Sequence, residues 1–214
     1  GIAGLGFEKL VYGGLSKVFA GIVIAPIGGL IVGLLLTGLI ITIFANRKPA
    51  PVNKTFGRLQ IISSAWFALT HGANDGQKTM GIIALILFSS GMIPELDIPV
   101  WVIFAAAAAM GLGTFFGGYK VIKTLGVKIT KLKPYQGFAA ETGGGIMLAA
   151  FAVLGIPAST THAITGTIMG SGAARRKRAV RWKVSRQIIF SWIITIPGAA
   201  GLGIGFTYLI HLFV

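Results

Sequence analysis

Long apolar stretches alternate with short polar loops along the chain, and this spacing predicts membrane-spanning helices. About 20 apolar residues cross a bilayer as a helix, and residues 18–45 carry no charged side chain. The apolar segments are residues 18–45, 61–90, 100–119, 137–155, 161–170 and 188–214. The segment 161–170 is too short to cross alone, so residues 155–160 are expected to begin that crossing without helical structure. The pattern predicts an all-α integral membrane fold with discontinuous helices and re-entrant segments.

The composition supports this fold class. The chain is 54% hydrophobic and 11% charged, whereas soluble domains carry roughly 25% charged residues. Its mean hydropathy is +0.83. The 32 glycines suit close packing of helices in lipid. The chain has no cysteine, which excludes disulfides and thiolate metal sites.

The net charge of +14 reflects membrane orientation. Basic residues concentrate in the short loops at residues 47–58, 120–133 and 175–186, which the positive-inside rule places in the cytoplasm. The connection that carries Glu95 and Asp97, the segment with Glu8 and both chain ends are then expected outside. The basic run at residues 175–178 is interpreted as a topology signal. No soluble segment is long enough for a nucleic-acid-reading domain, so nucleic acid is not an expected partner.

An internal repeat is indicated when Pro26 is aligned with Pro197, because the apolar pattern around the two prolines agrees. Residues 1–16 are nearly uncharged, whereas their counterparts near residues 175–186 are strongly basic. The two copies are therefore expected on opposite sides of the membrane, as in an inverted-topology repeat with a midplane site. We expect one transmembrane domain over residues 1–214. Residues 1–45 would be the tail of the first repeat with a connecting helix, and residues 46–214 the second repeat.

The same alignment predicts that part of the site lies outside this sequence. Residue 1 aligns with the end of the short segment 161–170, so an earlier copy of the polar motifs is expected before it. The complete site would then need an N-terminal half of the same protein or a second chain. A homo-oligomer in membrane lipid is also expected.

The first polar motif runs from His71 to Lys78 within an apolar segment. An ionisable group at membrane depth is costly unless it is paired, so function is its default explanation. Glycines flank Asn74 and Asp75 and predict a break in the helix. The side-chain oxygens would then face a cation, and the N–H groups of the next half-helix an anion. The alternative is that Asp75 only caps a helix that starts near Gly76.

The second polar motif follows Pro157, which halts a helix. Ser159, Thr160 and Thr161 then open a short helix, and their hydroxyls and N–H groups form a cradle suited to a phosphate-like anion. The alternative is an ordinary serine N-cap. His162 is interpreted as a structural hydrogen-bonding residue.

Two further ionisable residues lie inside the apolar segments. Glu141 is expected to bind a coupling cation or carry a proton, and the alternative is a structural hydrogen bond to a neighbouring helix. Lys78 lies one turn after Asp75, a spacing that allows an ion pair or direct contact with a bound anion. His71 and His211 lie near segment edges and receive no role.

At these residues the chain resembles the inorganic phosphate transporter (Pit) family, especially the second half of its bacterial members. The family's Gly-Ala-Asn-Asp pattern is met at residues 72–75 and its Pro-x-Ser-Thr-Thr-His pattern at residues 157–162. The Gly-Phe-x-x-Glu element is met by Gly137, Phe138 and Glu141. The resemblance covers nearly the whole chain.

The resemblance implies a duplicated, inverted fold in a bacterial or archaeal cell membrane, with no enzymatic activity and no covalent cofactor. It implies symport of phosphate, or of metal-phosphate, with sodium ions or protons. The candidate substrate-binding residues are Asn74, Asp75, Gln77, Ser159, Thr160 and Thr161. The candidate ligands of a coupling ion are Asn74, Asp75, Lys78 and Glu141, and those of a metal ion are Asp75 and Glu141. Many sodium-coupled members carry Asn where Lys78 stands, so we hypothesise that its ammonium replaces one sodium ion and favours proton coupling.

Three other functions compete with this interpretation. The nearest is transport of sulfate or another tetrahedral oxyanion by the same fold, since hydroxyls and helix N-termini suit both anions. An intramembrane hydrolase would use Ser159 or Thr160 as nucleophile and His162 as base, but no oriented Asp partner is apparent. A channel would need a continuous pore, which interrupted helices do not favour.

Overall fold

The structure, a computed structural model, describes residues 11–212, and these residues form helices without any strand. The helices are α1 Tyr12–Ile43, α2 Pro49–Ser89, α3 Val100–Lys123, α4 Pro134–Val153, α5 Thr160–Arg175 and α6 Trp182–His211. A π-helical turn, Thr124–Ile129, extends α3, and a 3-10 turn, Lys177–Ala179, precedes α6. The predicted all-α class is confirmed.

Three of these segments are long enough and apolar enough to cross a membrane: Tyr12–Ile43, Val100–Ile129 and Trp182–Ile210. Helix α5 has 16 residues and is therefore about 24 Å long. That is shorter than a hydrocarbon core of about 30 Å. Eleven of its 16 residues are nevertheless buried, so α5 lies at the centre of the described bundle.

The predicted break at the Asn-Asp motif is wrong, because α2 runs without interruption through all 41 residues from Pro49 to Ser89. Neither Gly72 nor Gly76 has a positive φ angle. A glycine inside a helix costs only about 1 kcal/mol relative to alanine, and burial of Asn74 and Gly76 against neighbouring helices offsets that cost. No half-helix begins after Gly76, so the predicted N-terminus for an anion does not exist there.

The second predicted interruption is present between α4 and α5. Gly155 has φ +61°, the left-handed conformation that glycine adopts without strain. Its N–H donates to Ala152 O at 3.2 Å, and the N–H of Ile156 donates to Phe151 O at 3.0 Å. These two bonds form a Schellman motif that ends α4. Pro157 then cannot continue a helical hydrogen-bond ladder, so α5 starts afresh at Thr160.

Small residues let α1 and α5 approach closely. Buried positions on α1 recur every four residues, at Gly21, Ala25, Gly29, Gly33 and Thr37. A side chain on Gly29 or Gly33 would collide with the backbone of α5. Side chains on Gly166 or Gly170 would collide with the backbone of α1. The contact is a small-xxx-small packing on both helices, which is typical of membrane proteins.

Helices α2 and α4 run in the same direction. Gln60 contacts the position of Gly137, and Trp66 contacts that of Gly145, so residue numbers rise together along α2 and α4. The basic loops gather at one end of the bundle, where Arg47, Lys133 and Arg175 line the same cavity. Assignment of that end to the cytoplasm remains a prediction of the positive-inside rule.

Helix α6 leaves an apolar surface uncovered in the described part of the chain. Phe190 is 63% exposed and Phe206 is 64% exposed. Such a surface needs lipid or protein against it. Pro197 lies inside α6 and Pro26 inside α1, and the repeat that pairs them stays a prediction. The expectations for residues 1–10, including Glu8, lie outside the described residues.

Candidate substrate and ion site

Asp75 joins two helices that are far apart in sequence. The Thr160 hydroxyl, on the first residue of α5, donates to Asp75 Oδ2 at 2.8 Å. Asp75 lies in the middle of α2, and its side chain is 30% exposed. The two motifs singled out in the sequence are therefore in direct contact. The carboxylate beside the start of α5 also suits the positive end of that helix.

Because α2 is continuous, two more polar side chains of this helix contact the Asp75 carboxylate. His71 Nε2 lies 3.0 Å from Asp75 Oδ2, and Lys78 Nζ lies 3.0 Å from Oδ1. Residues three and four apart share one face of a helix, so this arrangement requires the uninterrupted helix that the glycine pattern argued against. Lys78 Nζ also donates to Ala158 O at 2.7 Å, which ties α2 to the interruption before α5.

Both side-chain N–H groups of Asn74 form hydrogen bonds within the protein. Its amide Nδ2 donates to Thr70 O at 2.9 Å and to Leu148 O at 3.3 Å. A side-chain amide has two N–H donors, so neither is left for an oxyanion. The predicted substrate contact through Asn74 is therefore limited to its carbonyl oxygen, and its amide ties α2 to α4.

The three successive hydroxyls do not converge on one point. The Ser159 hydroxyl accepts from the N–H of His162 at 3.4 Å, which is an N-cap. Ser159 and Thr161 line a cavity of about 750 Å³ between α1, α5 and α6, whereas Thr160 faces Asp75 on α2. The predicted cradle is thus divided between two sides of α5.

His162 has the structural setting that the sequence suggested. Its ring forms a hydrogen bond with the backbone of Ile22 and stacks on Trp192 with ring centroids 3.8 Å apart. Pro26 lacks the N–H that would normally bond to the carbonyl four residues earlier, so the Ile22 carbonyl is free to accept. His162 Nδ1 is buried without a hydrogen-bond partner.

Glu141 forms a separate polar cluster. Its carboxylate accepts from Ser63 Oγ at 2.6 Å and from Gln60 Nε2 at 3.3 Å. Ser63 and Asp75 are twelve residues apart on α2, which corresponds to about 18 Å along the helix axis. One metal or coupling ion cannot contact both carboxylates at that separation, so the prediction of a shared Asp75–Glu141 site is corrected. No group of three His, Cys, Asp or Glu side chains suited to a metal occurs among residues 11–212.

The pattern that defines the "Phosphate transporter family" matches residues 44–203. The chain belongs to this phosphate transporter family.

Relatives in this phosphate transporter family align along nearly the whole chain. A Rhizobium meliloti (strain 1021) protein named "Probable low-affinity inorganic phosphate transporter" is 50% identical over 201 residues, covering 94% of this chain and 60% of that protein. A Bacillus subtilis (strain 168) protein of the same name is 40% identical, covering 94% of this chain and 61% of its own length. A Mycobacterium leprae (strain TN) protein of the same name is 36% identical, covering 99% of this chain and 52% of its own length. The chain therefore spans about half to three fifths of the length of these curated relatives. They are transporters by name, which agrees with the expectation that the chain is not an enzyme.

A solved structure described as "The sodium-dependent phosphate transporter" resembles the whole chain with a TM-score of 0.84. The sequence identity is 23%, and the match covers 71% of that chain. At this identity the likeness shows the fold alone.

Sequence reasoning missed several partners at the site of this family member. His71 was given no role, although its spacing of four residues from Asp75 would have predicted the contact on a continuous helix. Nothing in the sequence indicated that Ser63 and Gln60 would contact Glu141, apart from their position on one face of a helix. The Ala158 carbonyl gave no signal, because a backbone oxygen has no sequence signature. Gln77 is exposed on α2.

Proposed function

We propose that this chain forms part of a secondary transporter that moves inorganic phosphate, alone or as metal-phosphate, across a bacterial or archaeal cell membrane. The observation that carries the proposal is the bond between Thr160 and Asp75. It brings a charged turn of α2 to the start of the buried helix α5 inside an apolar protein. A half-buried, paired ionisable group next to an interrupted helix is the typical setting of a transport site. The names of the relatives supply the substrate.

In this proposal the oxyanion binds beside Lys78 and Thr160, at the start of α5. The Lys78 side chain is 44% exposed, so one side of its ammonium stays open to a ligand. The N-terminal end of α5 adds a favourable dipole for negative charge. Asp75 holds Lys78 and Thr160 in place, and the carbonyl oxygen of Asn74 and the exposed Gln77 border the same turn of α2.

The coupling ion is the second part of the proposal. Lys78 Nζ lies between Asp75 Oδ1 and Ala158 O, at 3.0 and 2.7 Å. A carboxylate and a backbone carbonyl are oxygen ligands of the kind that hard cations prefer. The ammonium therefore occupies the position of a small cation, so one fewer sodium ion is required and protons drive transport. Glu141, in its separate cluster, is the candidate proton carrier.

Uptake of labelled phosphate by proteoliposomes of the purified full-length protein tests the function. We expect saturable uptake driven by a proton gradient without sodium, and weak competition from excess sulfate. Equal competition by sulfate supports an oxyanion permease of broader range. Non-saturable flux without a driving gradient contradicts a secondary transporter and supports a channel.

The variant Lys78→Asn tests the coupling. Removal of the ammonium leaves two oxygens without a cation, so uptake should become dependent on sodium. The matched control is Lys120→Asn, which removes a lysine at the far end of α3 and should leave the ion dependence unchanged. Wild-type uptake that is strictly sodium-dependent contradicts the proposed role of Lys78.

We also propose that residues 46–214 form the second repeat of an inverted pair, with residues 1–45 belonging to the first repeat and its connection. Residues 1–214 contain no cysteine, so single cysteines introduced there report orientation once any cysteine elsewhere in the full-length protein is replaced by serine. Ser90→Cys should react with an impermeant thiol reagent from outside the cell. Arg178→Cys should react only from the cytoplasmic side. Labelling of both from one side contradicts the proposed topology.

A further inference from the structure

The basic end of the bundle contains a small cavity that the proposed transport site does not use. We call it the basic cavity: it has a volume of about 250 Å³, and its charged lining residues are Arg47, Lys133 and Arg175. Arg47 lies between α1 and α2, Lys133 directly precedes α4, and Arg175 is the last residue of α5. Only the tertiary fold brings these three cations together.

The three cations have no acidic partner within the described residues. The ion pairs in residues 11–212 involve only Asp75 with His71 and Lys78, and no acidic side chain lines the basic cavity. Like charges around one cavity repel each other. An anion between them removes this repulsion and forms charge-assisted hydrogen bonds with the guanidinium groups.

The remaining walls of the basic cavity are divided between polar and apolar groups. Asn53 and Tyr135 contribute polar atoms, and Asn53 Oδ1 is buried without a hydrogen-bond partner. Ile41, Phe44 and Val52 form an apolar side. A ligand that fills all of these walls carries a negative charge, a neighbouring hydrogen-bond donor and a hydrocarbon portion.

We propose that the basic cavity binds the anionic phosphate of a phospholipid headgroup in the cytoplasmic leaflet. Basic pockets between membrane helices on the cytoplasmic side suit such headgroups. The phosphate lies among the three cations, a headgroup hydroxyl donates to Asn53 Oδ1, and the acyl chain follows Phe44. Free inorganic phosphate shares the anion chemistry but has nothing to place against the apolar wall. The proposal is independent of the transported substrate.

The test is a lipid titration of the purified full-length protein in neutral detergent. Short-chain phosphatidylglycerol is added, and the rise in thermal unfolding temperature gives an apparent affinity. Zwitterionic phosphatidylcholine, whose choline cation cancels the phosphate charge and which has no headgroup hydroxyl, is the comparison. The cavity variant combines Arg47→Gln, Lys133→Gln and Arg175→Gln. Its affinity for phosphatidylglycerol should fall roughly 100-fold, since each cation near the membrane surface contributes appreciably to binding of anionic lipid.

The matched control removes the same number of charges from the neighbouring loop, through Arg176→Gln, Lys177→Gln and Arg178→Gln. These side chains are exposed and do not line the basic cavity, so the control should keep the wild-type affinity. A second variant is Ala45→Trp. Ala45 also lines the basic cavity, beside Phe44, so a tryptophan there fills the apolar side without changing charge and should also weaken lipid binding. It keeps the test decisive if the triple cavity variant does not fold.

Three outcomes overturn the proposal. An equal loss of affinity in the control and cavity variants indicates general attraction to a basic surface. An equal rise with phosphatidylcholine and phosphatidylglycerol indicates that the headgroup charge is not recognised. Saturation by inorganic phosphate alone, lost in the cavity variant and without any added effect of lipid, identifies a free-anion site.

Discussion

Two glycine-bearing segments of this chain were both predicted to interrupt a helix, but they fold differently. The segment from Gly72 to Gly76 stays inside the continuous helix α2, whereas the segment from Gly155 to Ser159 separates α4 from α5. Gly155 has a left-handed backbone, and Pro157, two residues later, lacks an N–H. Glycine alone only weakens a helix, whereas proline removes a hydrogen bond and blocks the preceding turn. The comparison shows that a pair of glycines within a polar motif does not by itself predict a broken membrane helix.

The site depends on this difference between the two segments. The continuous segment aligns His71, Asp75 and Lys78 on one face of α2, and the broken segment presents Thr160 and the Ala158 carbonyl to that face. A rigid carboxylate thus meets the open end of a short helix. Four variants test this arrangement, from the largest expected effect to the smallest.

The largest effect is expected from Asp75→Ala, which removes the group that joins the two segments. Loss of one partner from a half-buried pair costs about 2 kcal/mol, and phosphate uptake in proteoliposomes should fall at least about thirtyfold. The control is Asp97→Ala, which removes an exposed carboxylate on the α2–α3 connection and should leave uptake unchanged. If Asp75→Ala takes up phosphate at the wild-type rate, the two segments do not form one transport site.

A smaller effect is expected from Thr160→Val, which keeps the shape of the side chain but removes the hydroxyl that donates to Asp75. A hydrogen bond to a charged group contributes at least about 1.5 kcal/mol, so kcat/KM for uptake should fall by about tenfold or slightly more. Thr160→Ser should restore most of the loss. Thr207→Val on α6 serves as the control, since the Thr207 hydroxyl donates to Gly203 O within its own helix. Failure of serine to rescue indicates that the methyl group, rather than the bond, is needed.

Next comes Gly155→Ala, which tests the backbone of the broken segment. A left-handed backbone conformation costs a residue with a Cβ about 1 kcal/mol. The free energy of unfolding in a denaturant titration should therefore drop by about that amount. Gly91→Ala is the matched control, since Gly91 has φ +73° at the end of α2, away from α5. Both variants should lose similar stability, and Gly155→Ala alone should reduce uptake. Equal uptake in the two variants argues against a role for this turn.

The smallest effect, and one of opposite sign, is expected from Gly72→Ala. A Cβ at Gly72 meets no atom within 4 Å, and alanine is favoured over glycine in a helix by up to about 1 kcal/mol. The free energy of unfolding should therefore rise slightly, as it should for Gly81→Ala elsewhere in α2. A loss of stability in Gly72→Ala alone would show that this segment breaks as the glycine pattern suggested.

The sequence located the helices well, because hydrophobic length and basic loops are local properties. It also identified the interruption around Pro157 and named Asp75, Lys78 and Thr160 as candidate site residues. It failed at the Asn-Asp motif and at the pairing of Asp75 with Glu141. Those features depend on long-range contacts. Asn74 contacts Leu148, 74 positions further along the chain, and Ser63 contacts Glu141, 78 positions further along. No periodicity within either segment encodes such contacts.

By itself, the sequence determined an all-α membrane chain with a basic side, a helix that must stop near Gly155 and a family resemblance carried by three motifs. The covalent chemistry of proline and the cost of burying charge act within a few residues, so they can be read along the chain. Only the tertiary structure decided that α2 stays whole, that Thr160 alone of the three hydroxyls faces Asp75, and that Arg47, Lys133 and Arg175 share one cavity. These outcomes depend on which helices pack together, and the burial of each helix outweighs the weak local preference of glycine.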